Sequence, residues 1–193
     1  IAYSSVSQGG FVLMPLAVAG INNGGASALR AVVVYMLIYA ATNLGMFGVI
    51  IAVARKTRSG KISSWGGLFS YAPGLGALAT IFLASLAGIP PLGGWVGKFA
   101  AFQSMLTSGS GWGYALALIG AVNSVVAFGY YGSVMREIWM KPVPDGDTTP
   151  IRVPGSLKLA LVLTAATTLV LGILPGVAMH FGDIAQLTSA FGG

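Results

Sequence analysis

The amino-acid sequence predicts an all-α polytopic membrane protein with about five transmembrane helices, the third of them broken at Pro90-Pro91. Three observations predict it. Hydrophobic residues make up 55% of the chain and charged ones only 7%, against roughly 25% charged in soluble domains, and the mean hydropathy is +0.84. Apolar runs recur at about 3–20, 29–54, 75–107, 112–138 and 157–175, each long enough for the roughly 20 residues that a bilayer core requires and the third well beyond it. The cations gather in alternate connections between those runs. Ten Lys and Arg against four Asp and Glu give a net charge of +6, but no soluble basic face forms, which argues against a nucleic-acid partner and for a lipid bilayer. Without cysteine there are no disulfides, iron-sulfur ligands or thiolate zinc site, and His180 alone builds no metal site. No cofactor is therefore expected in this chain; redox chemistry would belong to partners.

Taken in order, the first run carries Ser4, Ser5, Ser7 and Gln8, an unusually polar start whose groups need protein or water partners at depth. The chain opens on Ile1 inside an apolar run with no initiator Met or cleavage-site pattern, and reads as the C-terminal part of something longer, a single membrane domain over 1–193. The second run contains Tyr35, Tyr39, Thr42 and Asn43, and the fourth Asn123, Ser124, Tyr130 and Tyr131. Such residues line hydrated paths or simply tie helices together.

The connection 55–74 holds Arg55, Lys56, Arg58 and Lys61 with no acid, and 136–158 holds four cations against Glu137, Asp145 and Asp147. Connections 21–28 and 108–111 carry no charge. On a five-helix path the two basic connections share a side, which the positive-inside rule makes cytoplasmic, with the C-terminus opposite. Pro142, Pro144, Pro150 and Pro154 around Asp145-Gly146-Asp147 make a turn-rich connector. In the tail 176–193, Val177, Phe181, Ile184, Leu187 and Phe191 recur at steps of three and four, the pattern of a short interfacial helix, with a frayed tail as the alternative.

The third run is the informative one. As a single helix, 75–107 would be roughly 50 Å long, well over a core of about 30 Å. Gly88-Ile89-Pro90-Pro91-Leu92-Gly93-Gly94 breaks it, because two prolines remove backbone donors and the glycines relax the chain. Lys98 lies eight residues before Leu106, about 12 Å of helix, hence near the midplane. Its stem is too short to snorkel. A central lysine costs about 2.5 to 3.5 kcal/mol or more, so it faces a cavity, a relay or a partner charge. Burial disfavours its charged form and a carboxylate favours it; a site balanced between the two loads and releases a proton. Lys98 is thus the candidate proton carrier. Pro90, Pro91, Gly93, Gly94 and Gly97 are candidate break residues, and Gln8, Tyr39, Asn43, Gln103 and Asn123 candidate water-path residues. Gly93 and Gly97 also form a small-xxx-small pair that suits close helix packing. Glu137, Asp145, Asp147 and Asp183 all map to ends or loops, so a carboxylate partner is expected outside this chain. The bland alternative is a structural lysine fixed in an ion pair.

Two stretches, Ala2-Tyr3-Ser4-Ser5-Val6-Ser7-Gln8-Gly9-Gly10-Phe11 and Ser85 to Phe99 through Gly88-Ile89-Pro90-Pro91-Leu92-Gly93-Gly94-Trp95-Val96-Gly97-Lys98, resemble signatures of the antiporter-like membrane subunits of respiratory complex I, the bacterial NADH:quinone oxidoreductase. The resemblance runs the whole chain, as the last five of about fourteen helices. Lys98 followed by Phe99 is nearer the subunit N branch than subunit L, where an Asp commonly follows, or subunit M, with a glutamate. Gln8 departs from the histidine frequent among relatives. The resemblance implies an inverted-repeat fold, Lys98 as one station of a proton relay, and a place in the bacterial inner membrane. As partners it implies other membrane-arm subunits and the subunit's own N-terminal helices, with NADH, flavin, iron-sulfur clusters and quinone held elsewhere. A multisubunit sodium/proton antiporter and a structural scaffold subunit are the alternatives.

Overall fold

The computed structural model describes residues 2–21 and 25–184, and these form helices and connections with no strand among them. In chain order they are α1 (Ala2–Leu16), α2 (Gly25–Thr57), a 3-10 turn (Ile62–Trp65), α3 (Leu68–Tyr71), α4 (Pro73–Ala87), α5 (Gly93–Thr107), α6 (Gly111–Met140), α7 (Gly155–Ile173) and α8 (Pro175–Ile184). By length and composition α2, α6 and α7 can each cross a bilayer alone. Helices α1, α4 and α5 have 15 residues each, about 22 Å, less than the core thickness. The expected first run to residue 20 is a helix only to Leu16; Ala17 to Ile21 continue as turns, with Val18 N–H on the Pro15 carbonyl and Ile21 N–H on that of Val18.

Local chemistry sets the other boundaries. Pro73 and Pro175 open α4 and α8 at a position whose N–H would be unused anyway. Ser110 caps α6 by accepting the Gly113 N–H at 3.0 Å. The stretch 141–154 is non-helical, as its prolines require.

Helix α2 is the central post, packed against α1, α4, α5, α7 and α8. Small residues let its neighbours approach. A Cβ on Gly45 would stand 2.2 Å from the Phe82 ring, and one on Gly97 3.2 Å from Tyr35 Cδ2, so α4 and α5 sit nearly on the α2 backbone. One apolar cluster, with Met46, Phe82, Leu83, Tyr131 and Leu161, fills the basic end; another, with Val34, Ile38, Val96 and Leu171, fills the other.

The outward faces of α6 and α7 are apolar, with Leu118, Val122, Val125, Val162 and Leu163 exposed. Trp112 and Tyr114 stand at one end of α6 and Trp139 at the other, the spacing of two interfacial aromatic belts. In the tail, α8 turns Ala178 and Gly182 inward and leaves Val177 and Phe181 exposed. Arg30 and Asp183 pair at 3.1 Å across α2 and α8. Of the rest of the predicted amphipathic face, Ile184 ends α8, and Leu187 and Phe191 lie outside the described residues.

Candidate functional site at the helix break

Helix α4 ends because Gly88 adopts φ +91°, the left-handed conformation that suits glycine. An α-helix leaves its last four carbonyls without intrahelical partners, and here each finds one. Gly88 N–H reaches Ala84 and Ser85 at 3.1 and 2.9 Å, and Ile89 N–H also reaches Ala84. Leu86 accepts from Gln8 Nε2 at 3.0 Å. Ala87 accepts from Lys98 Nζ at 2.9 Å. The lysine, in the second turn of α5, reaches back across the break to cap the helix before it.

That reach depends on how closely the halves overlap. A Cβ on Gly94 would lie 1.7 Å from the Ser85 carbonyl oxygen, and one on Gly88 2.8 Å from Lys98 Cδ. Gly94 N–H donates to Ser85 Oγ at 3.0 Å, so α4 caps α5 in return. Gly93 stands against Ile38 and the Thr168 carbonyl, and a Cβ on Gly172 of α7 would meet the Pro91 carbonyl at 2.1 Å. Pro90 and Pro91 themselves are exposed and shape the turn.

Lys98 is 5% exposed. Its ammonium lies at the carbonyl end of α4, where the helix dipole favours a cation by up to about 2 kcal/mol when partly buried. A hydrogen bond from a charged donor adds about 1.5 to 3 kcal/mol. Phe11, fully buried on α1, has its ring centroid 4.9 Å from Nζ. Together these are comparable with the roughly 2.5 to 3.5 kcal/mol cost of a central lysine. Neutral dipoles therefore accommodate the charge. The described carboxylates with ionic partners are elsewhere, Asp183 on Arg30 and Asp147 on Lys56.

Gln8, 1% exposed, is the junction beside it. Its amide donates to the Leu86 carbonyl and, at 3.0 Å, to Tyr131 Oη, while its oxygen accepts from Tyr35. Tyr131 also bonds Ser4. One side chain thus joins α1, α2, α4 and α6. On the other side Thr42 Oγ1 lies 3.3 Å from both Ser85 Oγ and Thr168 Oγ1. Between the two clusters is a cavity of about 10 Å³ lined by Gln8, Tyr35, Tyr39, Thr42, Ser85 and Gly94 among others, near the room one water needs.

The structure gathers Gln8, Gly93, Gly94, Gly97, Lys98 and Tyr39 at this place, and disperses the rest. Asn123 donates to Ser7 at 3.0 Å between α6 and α1. Asn43 is half-buried on α2 next to Thr42. Gln103 is exposed in a polar groove with Arg30, Ser104 and Thr107, away from the cavity. Ser85, Thr168 and Phe11 were not singled out by sequence. Ser85 had a signal, a polar residue in an apolar run three positions before Gly88; Phe11 had none.

The family described as "NADH:quinone oxidoreductase/Mrp antiporter, TM" matches residues 1–125. Among curated proteins, NADH-quinone oxidoreductase subunit N of Heliobacterium modesticaldum is 37% identical over 91% of this chain and 35% of its own length. That of Trichlorobacter lovleyi is 34% identical over 95% and 36%, and that of Hirschia baltica 41% identical over 73% and 28%. A solved structure of respiratory complex I from Thermus thermophilus with bound aureothin contains a chain matching at a TM-score of 0.60 and 26% identity, over 92% of this chain and 44% of that one. The chain spans about a third of the length of the curated relatives it matches.

Proposed function

Because the chain belongs to the NADH:quinone oxidoreductase/Mrp antiporter transmembrane family, we propose that it is part of a proton-translocating membrane-arm subunit of an NADH:quinone oxidoreductase, with Lys98 as a proton-carrying station. One observation carries this reading. Lys98 is buried at a helix break and held by a backbone carbonyl and a helix end, with no carboxylate paired to it among the described residues. A lysine so held is accommodated charged, yet no full negative charge fixes it there. It can give its proton up.

The hydroxyls and amide around it supply neighbours able to take part in transfer. Tyr35, Tyr131, Ser4, Thr42, Ser85 and Thr168 both donate and accept. Gln8 orders them but exchanges no proton at ordinary pH, so it positions the chain rather than relaying through itself. Gly94 keeps the halves close and Gly97 keeps α5 close to α2, Pro90 and Pro91 keep the halves separate, and Tyr39 lines the cavity. Asn43, Asn123 and Gln103 serve helix packing and outer hydration in this reading.

The subunit would sit in the bacterial inner membrane, with connections 55–74 and 136–158 on the cytoplasmic side. Other membrane-arm subunits and the subunit's own further helices are its partners, and NADH, flavin, iron-sulfur clusters and quinone stay in partner subunits. Relatives named subunit N support this over a sodium/proton antiporter. The test is Lys98→Met in the whole complex, with proton pumping and NADH oxidation measured together in membrane vesicles. Pumping is expected to fall at least tenfold with assembly retained. Unchanged pumping would remove the assignment, and loss of assembly together with activity would favour a structural lysine.

A further inference from the structure

We propose that Phe11 is a positioning residue for proton loading, its ring face holding the protonated Lys98 ammonium at the helix break and holding the neutral amine far less; this rests on Lys98 being the proton carrier. The ring centroid is 4.9 Å from Nζ, inside the distance of about 6 Å at which an aromatic face attracts a cation. Phe11 is fully buried and Lys98 nearly so, and desolvation strengthens such contacts over exposed ones. The ring plane is not free to turn. Tyr35 lies nearly parallel to it at 5.9 Å and 8°, and Phe102 packs edge-on at 6.1 Å and 71°.

The ring over the lysine and the amide on the neighbouring carbonyl both come from α1. Gln8, one turn before Phe11, takes the Leu86 carbonyl, and Lys98 takes the next, that of Ala87. The chemistry of the ring suits the task. A quadrupole attracts a full charge strongly and an amine weakly, so the ring distinguishes loaded from unloaded lysine. It has no polar hydrogen and no basic atom, so it holds the charge without intercepting the proton. Leucine at this position would fill much of the space and make no such distinction.

The experiment replaces Phe11 in the whole complex with mono-, di- and trifluorophenylalanine, which drain the ring face of electron density at nearly constant volume. Lys98→Met is measured in parallel. Proton pumping during NADH oxidation is expected to fall stepwise with each fluorine, on the order of tenfold across the series, with assembly unchanged, because less lysine is loaded per cycle. Phe11→Leu is expected to fall at least as far; should it fail to assemble, the fluorinated series still decides. A flat series beside an inactive Lys98→Met overturns the role of Phe11 and leaves the lysine assignment standing. Unchanged pumping in Lys98→Met overturns both.

Discussion

Lys98 and Lys56 are held by similar parts and differ in one. Lys56, at the C-terminal end of α2, donates to the backbone carbonyls of Asp147 and Thr149 at 2.9 and 2.5 Å and sits 4.0 Å from the centroid of the Tyr71 ring. Lys98 likewise has a carbonyl, that of Ala87, and a ring, that of Phe11. Among the described residues Lys56 alone of the two also has a carboxylate, Asp147 Oδ2 at 3.6 Å. Lys56 stands at the edge of a polar pocket, where water shares the charge, and its task is to tie connection 141–154 to α2. Lys98 is buried and its charge rests on a carbonyl, a helix end and a ring. A carboxylate makes a tether; dipoles in its place leave a group free to change state.

The comparison breaks first at the packing of the halves. Gly94→Ala puts a methyl 1.7 Å from the Ser85 carbonyl oxygen, a backbone atom that moves only with the helix. The expected cost is about 3 kcal/mol or more, the upper end of overpacking effects, seen as a lowered melting temperature or failed assembly. Gly60→Ala, in the connection that follows the Lys56 end of α2, meets nothing within 4 Å and is expected to leave both unchanged. Equal sensitivity at the two sites would mean that the break is not the rigid element.

A sharper test gives Lys98 what Lys56 has. Gln8→Glu replaces the amide that donates to the Leu86 carbonyl, next to the carbonyl that holds the lysine, by a carboxylate that no longer donates there and brings a full negative charge beside the helix break. Breaking a buried ion pair by removing a partner costs about 3 to 5 kcal/mol, so a lysine that must shed its proton beside that charge is strongly held. Pumping is expected to fall on the order of tenfold or more with the complex assembled. Wild-type pumping in Gln8→Glu would show that the absence of a local carboxylate is irrelevant.

Much of this is legible in the sequence, and the exceptions have physical causes. The break was legible because two adjacent prolines and the flanking glycines cannot continue a helix, and Lys98 stood out as a charge in an apolar run. The end of α1 was not, because Ala17, Val18 and Ala19 are as apolar as the residues before them. The partners of Gln8 lie on α2, α4 and α6, at sequence separations of 27, 78 and 123; no local pattern announces such contacts. Gln103 is five residues beyond Lys98, about 140° round the helix, and faces a different groove. Phe11 reads like any core ring until a lysine is placed over it. Sequence marks what is costly locally, and the long-range contacts that offset the cost appear only in the fold.

The smallest expected effect lies at the tether. Hydrogen bonds from the Thr149 hydroxyl and amide, with the Lys56 charge behind them, hold the Asp147 carboxyl below the usual carboxylate range. A carboxyl held low in the fold contributes above its unfolded value of about 3.9 and loses that contribution as pH falls through the lower folded value. Connection 141–154 is therefore expected to be fully tied at neutral pH and to loosen only below about pH 4. Asp147 is solvent-exposed, so the change is local and does not reach global stability. Hydrogen exchange of residues 141–154 at pH 3 and pH 6, corrected for intrinsic rates, reads it directly. Asp147→Asn should give the loosened exchange at both values. An identical pH response in wild type and variant would show that Asp147 is not the group that titrates, and that two carbonyls suffice to hold Lys56 as one holds Lys98.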